Sequence, residues 1–144
     1  MKNNTQNFEY NGIRFAVRAN FIENKYGVFG DNMTHPSFIV TITTENDERA
    51  RFNFYASYND YMKGKKALDR DDMKNAVDCF LSDALAYDNS KDFLDFCDEF
   101  GYDVYEDRLR AKKAFVGCMR HYEAAVRLFG DNYTDILNAM QDDE

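Results

Sequence analysis

The sequence has no tryptophan, one proline (Pro36), two histidines (His35 and His121) and three cysteines (Cys79, Cys97 and Cys118) in 144 residues. Each scarcity excludes something. Three widely spaced cysteines fit reduced thiols in a reducing compartment better than a disulfide frame. Two histidines, with no Gly-x-Ser-x-Gly motif, leave little support for hydroxyl-nucleophile catalysis. Cys118 and His121 have the i, i+3 spacing that can share a metal, but Cys79 and Cys97 lack a local partner, so packing explains the thiols and neither metal nor cofactor is expected. No stretch of 18 uncharged apolar residues exists to span a bilayer, and residues 1–7 hold no apolar signal-peptide core. A soluble cytoplasmic protein without membrane contact is the expectation.

What the chain does have is aromatics and carboxylates. Thirteen Phe and ten Tyr in a chain that is 44% hydrophobic supply the buried area that disordered sequences lack. The length suits a single domain over residues 1–144. Net charge is −8. Residues 69–107 alone hold 13 Asp and Glu against Arg70, Lys74 and Lys91, a local net of −10, and such concentration decides which surfaces attract the protein.

Residues 8–22 alternate, with Ile13, Phe15, Val17, Ala19 and Phe21 on one side and Arg14, Ala16, Arg18 and Asn20 on the other. Alternation returns over 37–44 and 49–57, and Glu45-Asn46-Asp47-Glu48 reads as the loop of a hairpin. Residues 23–36 carry chain-turning Gly27, Gly30 and Asp31-Asn32 together with apolar Tyr26, Val28, Phe29 and Met33; a connection of that kind packs back on the domain or meets a partner. His35 reads as a loop residue before proline. Residues 58–70 read as a connector with Lys63, Lys65 and Lys66 around Gly64. Helical periodicity then predicts helices over 71–87, 91–100 (Ser90 as N-cap, Gly101 as stop), 106–129 (stopped by Gly130) and 133–140, followed by an acidic tail, Asp142-Asp143-Glu144. Strands first and helices after is the α+β order: a three-stranded antiparallel sheet over about 8–57, covered on one face by three to four helices over 71–140.

Metal and phosphate motifs fail on particular residues. Aligning Asp88, Ser90, Asp92 and Glu99 to a calcium loop puts Phe93 where the turn requires glycine. Gly64-Lys65-Lys66 lacks the flanking residues of a phosphate loop. Asp69, Asp71 and Asp72 offer hard oxygens for magnesium, but carboxylates are common at helix starts. Arg14, Arg18, Arg49 and Arg51 on the strands, with the lysine connector and Tyr55 and Tyr58, suggest an alternative: a nucleic-acid-binding accessory protein. The overall negative charge opposes approach to phosphate unless the two signs are well separated, so direct nucleic-acid binding is not expected, and a solvated polar sheet face explains the arginines.

Phe54-Tyr55-Ala56-Ser57, the run from Asp78 to Ala84 (DCFLSDA) and above all the run from Phe96 to Asp103 (FCDEFGYD) resemble a group of small proteins encoded by bacteriophages and mobile elements, the resemblance covering residues 38–128. No catalytic motif belongs to that group. The resemblance implies a setting in which small accessory proteins, anti-CRISPR proteins among them, inhibit host defence. The expectation is therefore a non-enzymatic inhibitor in a bacterial host. Its carboxylates Asp78, Asp92, Asp95, Asp98, Glu99 and Asp103 would occupy a basic nucleic-acid-binding surface of a nucleic-acid-guided or nuclease defence protein. Tyr26 and Phe29 are the next candidate contacts, since exposed aromatics anchor interfaces. A carboxylate-based metal-dependent enzyme is the remaining alternative.

Overall fold

The computed structural model describes residues 5–143. Residues 1–4 of the N-terminal stretch and Glu144 of the acidic tail lie outside them. Four strands, β1 (Thr5–Tyr10), β2 (Ile13–Tyr26), β3 (Thr34–Thr44) and β4 (Arg49–Tyr55), precede five helices: α1 (Tyr58–Met62), α2 (Arg70–Ser90), α3 (Phe93–Phe100), α4 (Arg108–Phe129) and α5 (Tyr133–Asp142). The protein is α+β, with an antiparallel sheet in its N-terminal part and helices in its C-terminal part. It divides into two compact units, Met1–Ala76 and Val77–Glu144, the division falling within α2.

The sheet has four strands in the order β1-β2-β3-β4, each pairing with its neighbour in sequence. The extra strand corrects the three-stranded expectation. Asn11 and Gly12 take φ of 52° and 76°, the positive values that a two-residue hairpin turn demands, and they fold residues 5–10 back so that Phe8 faces Phe15. Half of the connection over 23–36 is strand as well. β2 runs on to Tyr26 and pairs with β3 through Tyr26↔Thr34, leaving a tip of seven residues, 27–33. Gly27 and Gly30, both at positive φ, shape that tip, in which the Gly27 N–H donates to the Met33 carbonyl at 2.9 Å.

Register puts Phe15, Val17, Ala19, Phe38, Val40, Ile42, Ala50 and Phe52 on one face, and all are buried. Leu68, Met73 and Ala76 of the same unit are buried too. Each large side chain so removed from water contributes about 1.5–3 kcal/mol of transfer free energy. The supposed connector after β4 contains α1, closed by a capping box: Ser57 Oγ accepts from the Asp60 N–H at 3.1 Å and an Asp60 carboxylate oxygen accepts from the Ser57 N–H at 3.3 Å.

In the second unit Phe80, Leu81 and Ala84 of α2, Phe96 and Cys97 of α3, Ala111, Ala125 and Phe129 of α4, and Ile136, Leu137 and Met140 of α5 are buried. Phe115 of α4 gathers Tyr87, Phe93 and Phe96 around it, with ring centroids 5.5, 5.8 and 5.3 Å away. The N-cap of α3 is Asp92, not Ser90: α2 continues through Ser90, Lys91 breaks the helix at φ 51°, and the next residue starts the new one. Gly101 ends α3 in the left-handed conformation at φ 73°, and its N–H donates to the Cys97 carbonyl, as its place in the sequence suggested.

Candidate functional site

The negative excess of the chain lies in the second unit, while the first is close to balanced. Residues 1–76 hold 11 basic and 10 acidic side chains, a net of +1, and residues 77–144 hold 7 and 16, a net of −9.

On the acidic unit, α3 brings Asp92, Asp95, Asp98 and Glu99 together on two helical turns. All four are exposed, and Asp95, Asp98 and Glu99 make no ion pair among the described residues. Asp92 has a structural task, because its carboxylate accepts from the Leu94 and Asp95 N–H groups at 2.9 and 3.2 Å. Asp103 does likewise for the turn before α4, accepting from Tyr105 and Glu106 N–H, each at 2.9 Å. These bonds, Glu106 first, hold the Asp103 carboxyl below its usual range by favouring the charged form. Asp78 stands apart on α2, half-buried, accepting from Ser82 Oγ at 3.0 Å. Among the described residues no ion pair joins any of the six carboxylates expected to touch a partner to an arginine or lysine, whereas Asp88 pairs with Lys91 (3.2 Å) and Asp107 with Arg110 (3.0 Å).

The same unit exposes four large apolar side chains: Leu94 and Phe100 of α3, 59% and 49% exposed although they fall at the helical spacing of buried positions, and two beside α4 that the sequence reading missed. Tyr105 and Leu109, 89% and 87% exposed, flank the start of α4. Their only sequence signal is negative: neither falls on the buried stripe of that helix. The neighbouring cations are engaged locally. The Arg108 guanidinium lies 5.7 Å from the Phe93 ring centroid and that of Arg110 lies 5.4 Å from Tyr102.

On the sheet unit, Tyr26 and Phe29 sit on the β2–β3 hairpin, 66% and 62% exposed. Tyr26 Oη donates to Asn32 Oδ1 at 3.3 Å. Phe29 meets His35 and Tyr55 edge-on at 4.9 and 5.8 Å. His35 is no loop residue: it lies buried in β3, with Nδ1 2.8 Å from the Ala56 carbonyl and Nε2 3.1 Å from Asp31 Oδ2. It is the polar post on which the hairpin tip rests.

Asp69 and Asp72 form a reciprocal pair at the start of α2. The Asp72 N–H donates to Asp69 Oδ1 at 2.8 Å and the Asp69 N–H to Asp72 Oδ2 at 3.1 Å. Lys65 Nζ stands 2.6 Å from Asp72 and 3.5 Å from Asp60, and the bond to Asp72 raises the lysine's pKa. These carboxylates cap a helix and fix the middle lysine of the basic connector, while Lys63 and Lys66 remain exposed.

The outer face of the sheet carries Arg14, Arg18, Arg49 and Arg51, all exposed. Arg14 is bound to Glu9, and Arg49 to Asp47 at 3.2 Å. Arg18 and Arg51 have no carboxylate partner among the described residues.

No family model matches the chain, and no curated protein or solved structure shows significant similarity to it. No helix among the described residues is long and apolar enough to cross a membrane.

Proposed function

We propose that this is a non-enzymatic accessory protein of a phage or mobile element that inhibits a host defence system of the anti-CRISPR kind. It binds a basic, nucleic-acid-binding surface of a protein partner through the acidic helical unit. The observation that carries this reading is the state of α3: Asp95, Asp98 and Glu99 are exposed, and none of them forms an ion pair with a cation among the described residues. Carboxylates left unpaired on a rigid helix steer a basic partner from a distance and lose that advantage as salt rises. Tyr105 and Leu109 add apolar area of the kind that anchors an interface.

Asp92 and Asp103 contribute charge, but they also hold backbone N–H groups, so the test leaves them intact. Wild type and an Asp95→Lys, Asp98→Lys, Glu99→Lys variant are used to capture partners from a bacterial host lysate, and are co-expressed with a nucleic-acid-guided nuclease during phage challenge. Wild type is expected to retain a nucleoprotein or nuclease at low salt and to relieve restriction, and the variant to do neither. Capture and relief unchanged by charge reversal would overturn the reading.

A further inference from the structure

Alternation along each strand and the observed register define what the outer face of the sheet offers. One row across the strands holds Thr5, Arg18, Thr41 and Arg51; the next holds Asn7, Ala16, Thr43 and Arg49; on the other side lie Asn20, Ile39 and Asn53. Counting Lys25 and Glu23, the strands give the face five basic residues (Arg14, Arg18, Lys25, Arg49, Arg51) against two acidic ones (Glu9, Glu23), a net of +3 that the hairpin carboxylates Asp47, 3.2 Å from Arg49, and Glu45, 3.9 Å from Arg14, lower to +1. The net charge of the whole chain therefore says little about this surface, because the excess carboxylates lie in residues 77–144.

Within the face is a depression of about 150 Å³ lined by Thr5, Ala16, Arg18, Thr41, Thr43 and Arg49. Ala16, small where its neighbours are long, leaves the space open. Two guanidiniums and three hydroxyls line a cavity of that size with no carboxylate in its wall, and although Asp47 holds one nitrogen of Arg49 at 3.2 Å, a guanidinium has five N–H donors, so the set suits phosphate oxygens. The same face carries Tyr55 four residues beyond Arg51 on β4, about 13 Å at the usual rise per residue, and the Phe29 ring stands edge-on against Tyr55 with most of its surface open. Guanidiniums for the backbone and aromatic faces for unstacked bases are the two elements of a single-strand platform.

We propose that the outer face of the sheet binds a single strand of nucleic acid, with a phosphate seated between Arg18 and Arg49, Arg51 on the adjoining backbone, and a base against Phe29 and Tyr55. An acidic peptide would satisfy the guanidiniums but would leave the exposed ring without a planar partner.

The test is fluorescence anisotropy of the full chain with labelled oligonucleotides about 12 nucleotides long: one deoxyribose strand, one ribose strand, the duplex, and a poly-glutamate competitor. Either single strand is expected to bind in preference to the duplex and to resist poly-glutamate, and comparison of the two arms identifies the sugar. Affinity should fall with salt. Arg18→Ala and Arg51→Ala should each weaken binding tenfold or more and lower the salt slope by about one. Phe29→Ala should weaken binding at unchanged salt slope. Circular dichroism of each variant checks that the sheet remains folded, and Arg18→Lys, which keeps the charge, should restore the salt-dependent part. No binding to either strand at low salt, equal binding of duplex or ready displacement by poly-glutamate, or indifference to Arg18 and Arg51 would overturn the proposal. An Asp95→Asn, Asp98→Asn, Glu99→Gln variant should bind the strand no worse than wild type, which keeps this outcome separate from that of the acidic helix.

Discussion

Replacing Asp92 with alanine and, in a second variant, with asparagine separates the two tasks of that side chain. In the native protein its carboxylate satisfies the Leu94 and Asp95 N–H groups at 2.9 and 3.2 Å, two of the four donors that the start of α3 leaves without intrahelical partners. Loss of a side-chain N-cap costs about 1 kcal/mol, within a range of about 0.5–2. The negative charge at the positive end of the helix adds about 0.3–1 kcal/mol at an exposed site. Asp92→Ala removes both contributions and should lower stability by roughly 1–2 kcal/mol. Asp92→Asn retains an acceptor oxygen and loses only the charge, so its cost should stay under about 1 kcal/mol. Urea denaturation followed by circular dichroism reads the difference: with a slope of about 1–3 kcal/mol per molar, the alanine variant shifts the midpoint by roughly 0.3–2 M. Amide hydrogen exchange at Leu94 and Asp95 should accelerate in the alanine variant. Asp98→Ala, at an exposed residue with no partner among the described residues, is the control and should change stability by less than about 0.5 kcal/mol. The reasoning fails if asparagine costs as much as alanine, or if Asp92→Ala is as mild as Asp98→Ala. The outcome bears on function, because charge reversal at Asp92 would confound a lost contact with a frayed helix.

Gly12→Ala should destabilise the protein by about 1–2 kcal/mol, since Gly12 sits at φ 76° where a Cβ is penalised; a neutral urea midpoint would count against the β1–β2 turn. Burial, assisted by Asp83, pushes the Cys118 thiol up to about 12, and Cys97 is buried outright. A thiol reagent at pH 8 should therefore label exposed Cys79 first. It should do so more slowly than free cysteine, because burial of the thiol, with Asp78 and Asp83, raises that pKa too. Labelling of Cys118 as fast as Cys79 would refute this. The carboxyl of Asp103 is depressed by its backbone bonds, so its contribution is present above the ordinary Asp pKa of about 3.9 and is lost as pH falls through the lower folded-state value. Asp103→Asn should flatten the acid limb of a plot of urea midpoint against pH below about 4, and an unchanged limb would show that those bonds do not matter for stability.

Much of the architecture was legible because burial on one side leaves a period in the sequence. The stripes of α2 and α4 and the alternation of β3 and β4 are of that kind. The β1–β2 hairpin left a subtler mark: the buried position moves from even-numbered Phe8 to odd-numbered Phe15 across Asn11-Gly12, a change of phase that a single continuous strand cannot make. His35 left none, because its partner Ala56 is 21 residues away and the Phe29 ring reaches it only through the hairpin tip. Ser90 is a good cap by residue type, and so is Asp92, which residue type alone cannot prefer; the break at Lys91 puts the cap at Asp92. The acidic run announced its charge but not its division of labour. Sequence spacing cannot distinguish a carboxylate holding a backbone N–H, as Asp92 and Asp103 do, from one facing solvent, as Asp98 does. Arg18 and Arg49 meet around one depression only because two hairpins set three strands in register.

The strand order of the sheet governs how the protein can be made. As the nascent chain leaves the ribosome, each new arm finds its mate already waiting immediately upstream, so the ladder can zip closed from β1 to β4 with only short loops to close. Synthesis never has to hold a sticky, half-matched edge open for a distant segment still to be translated.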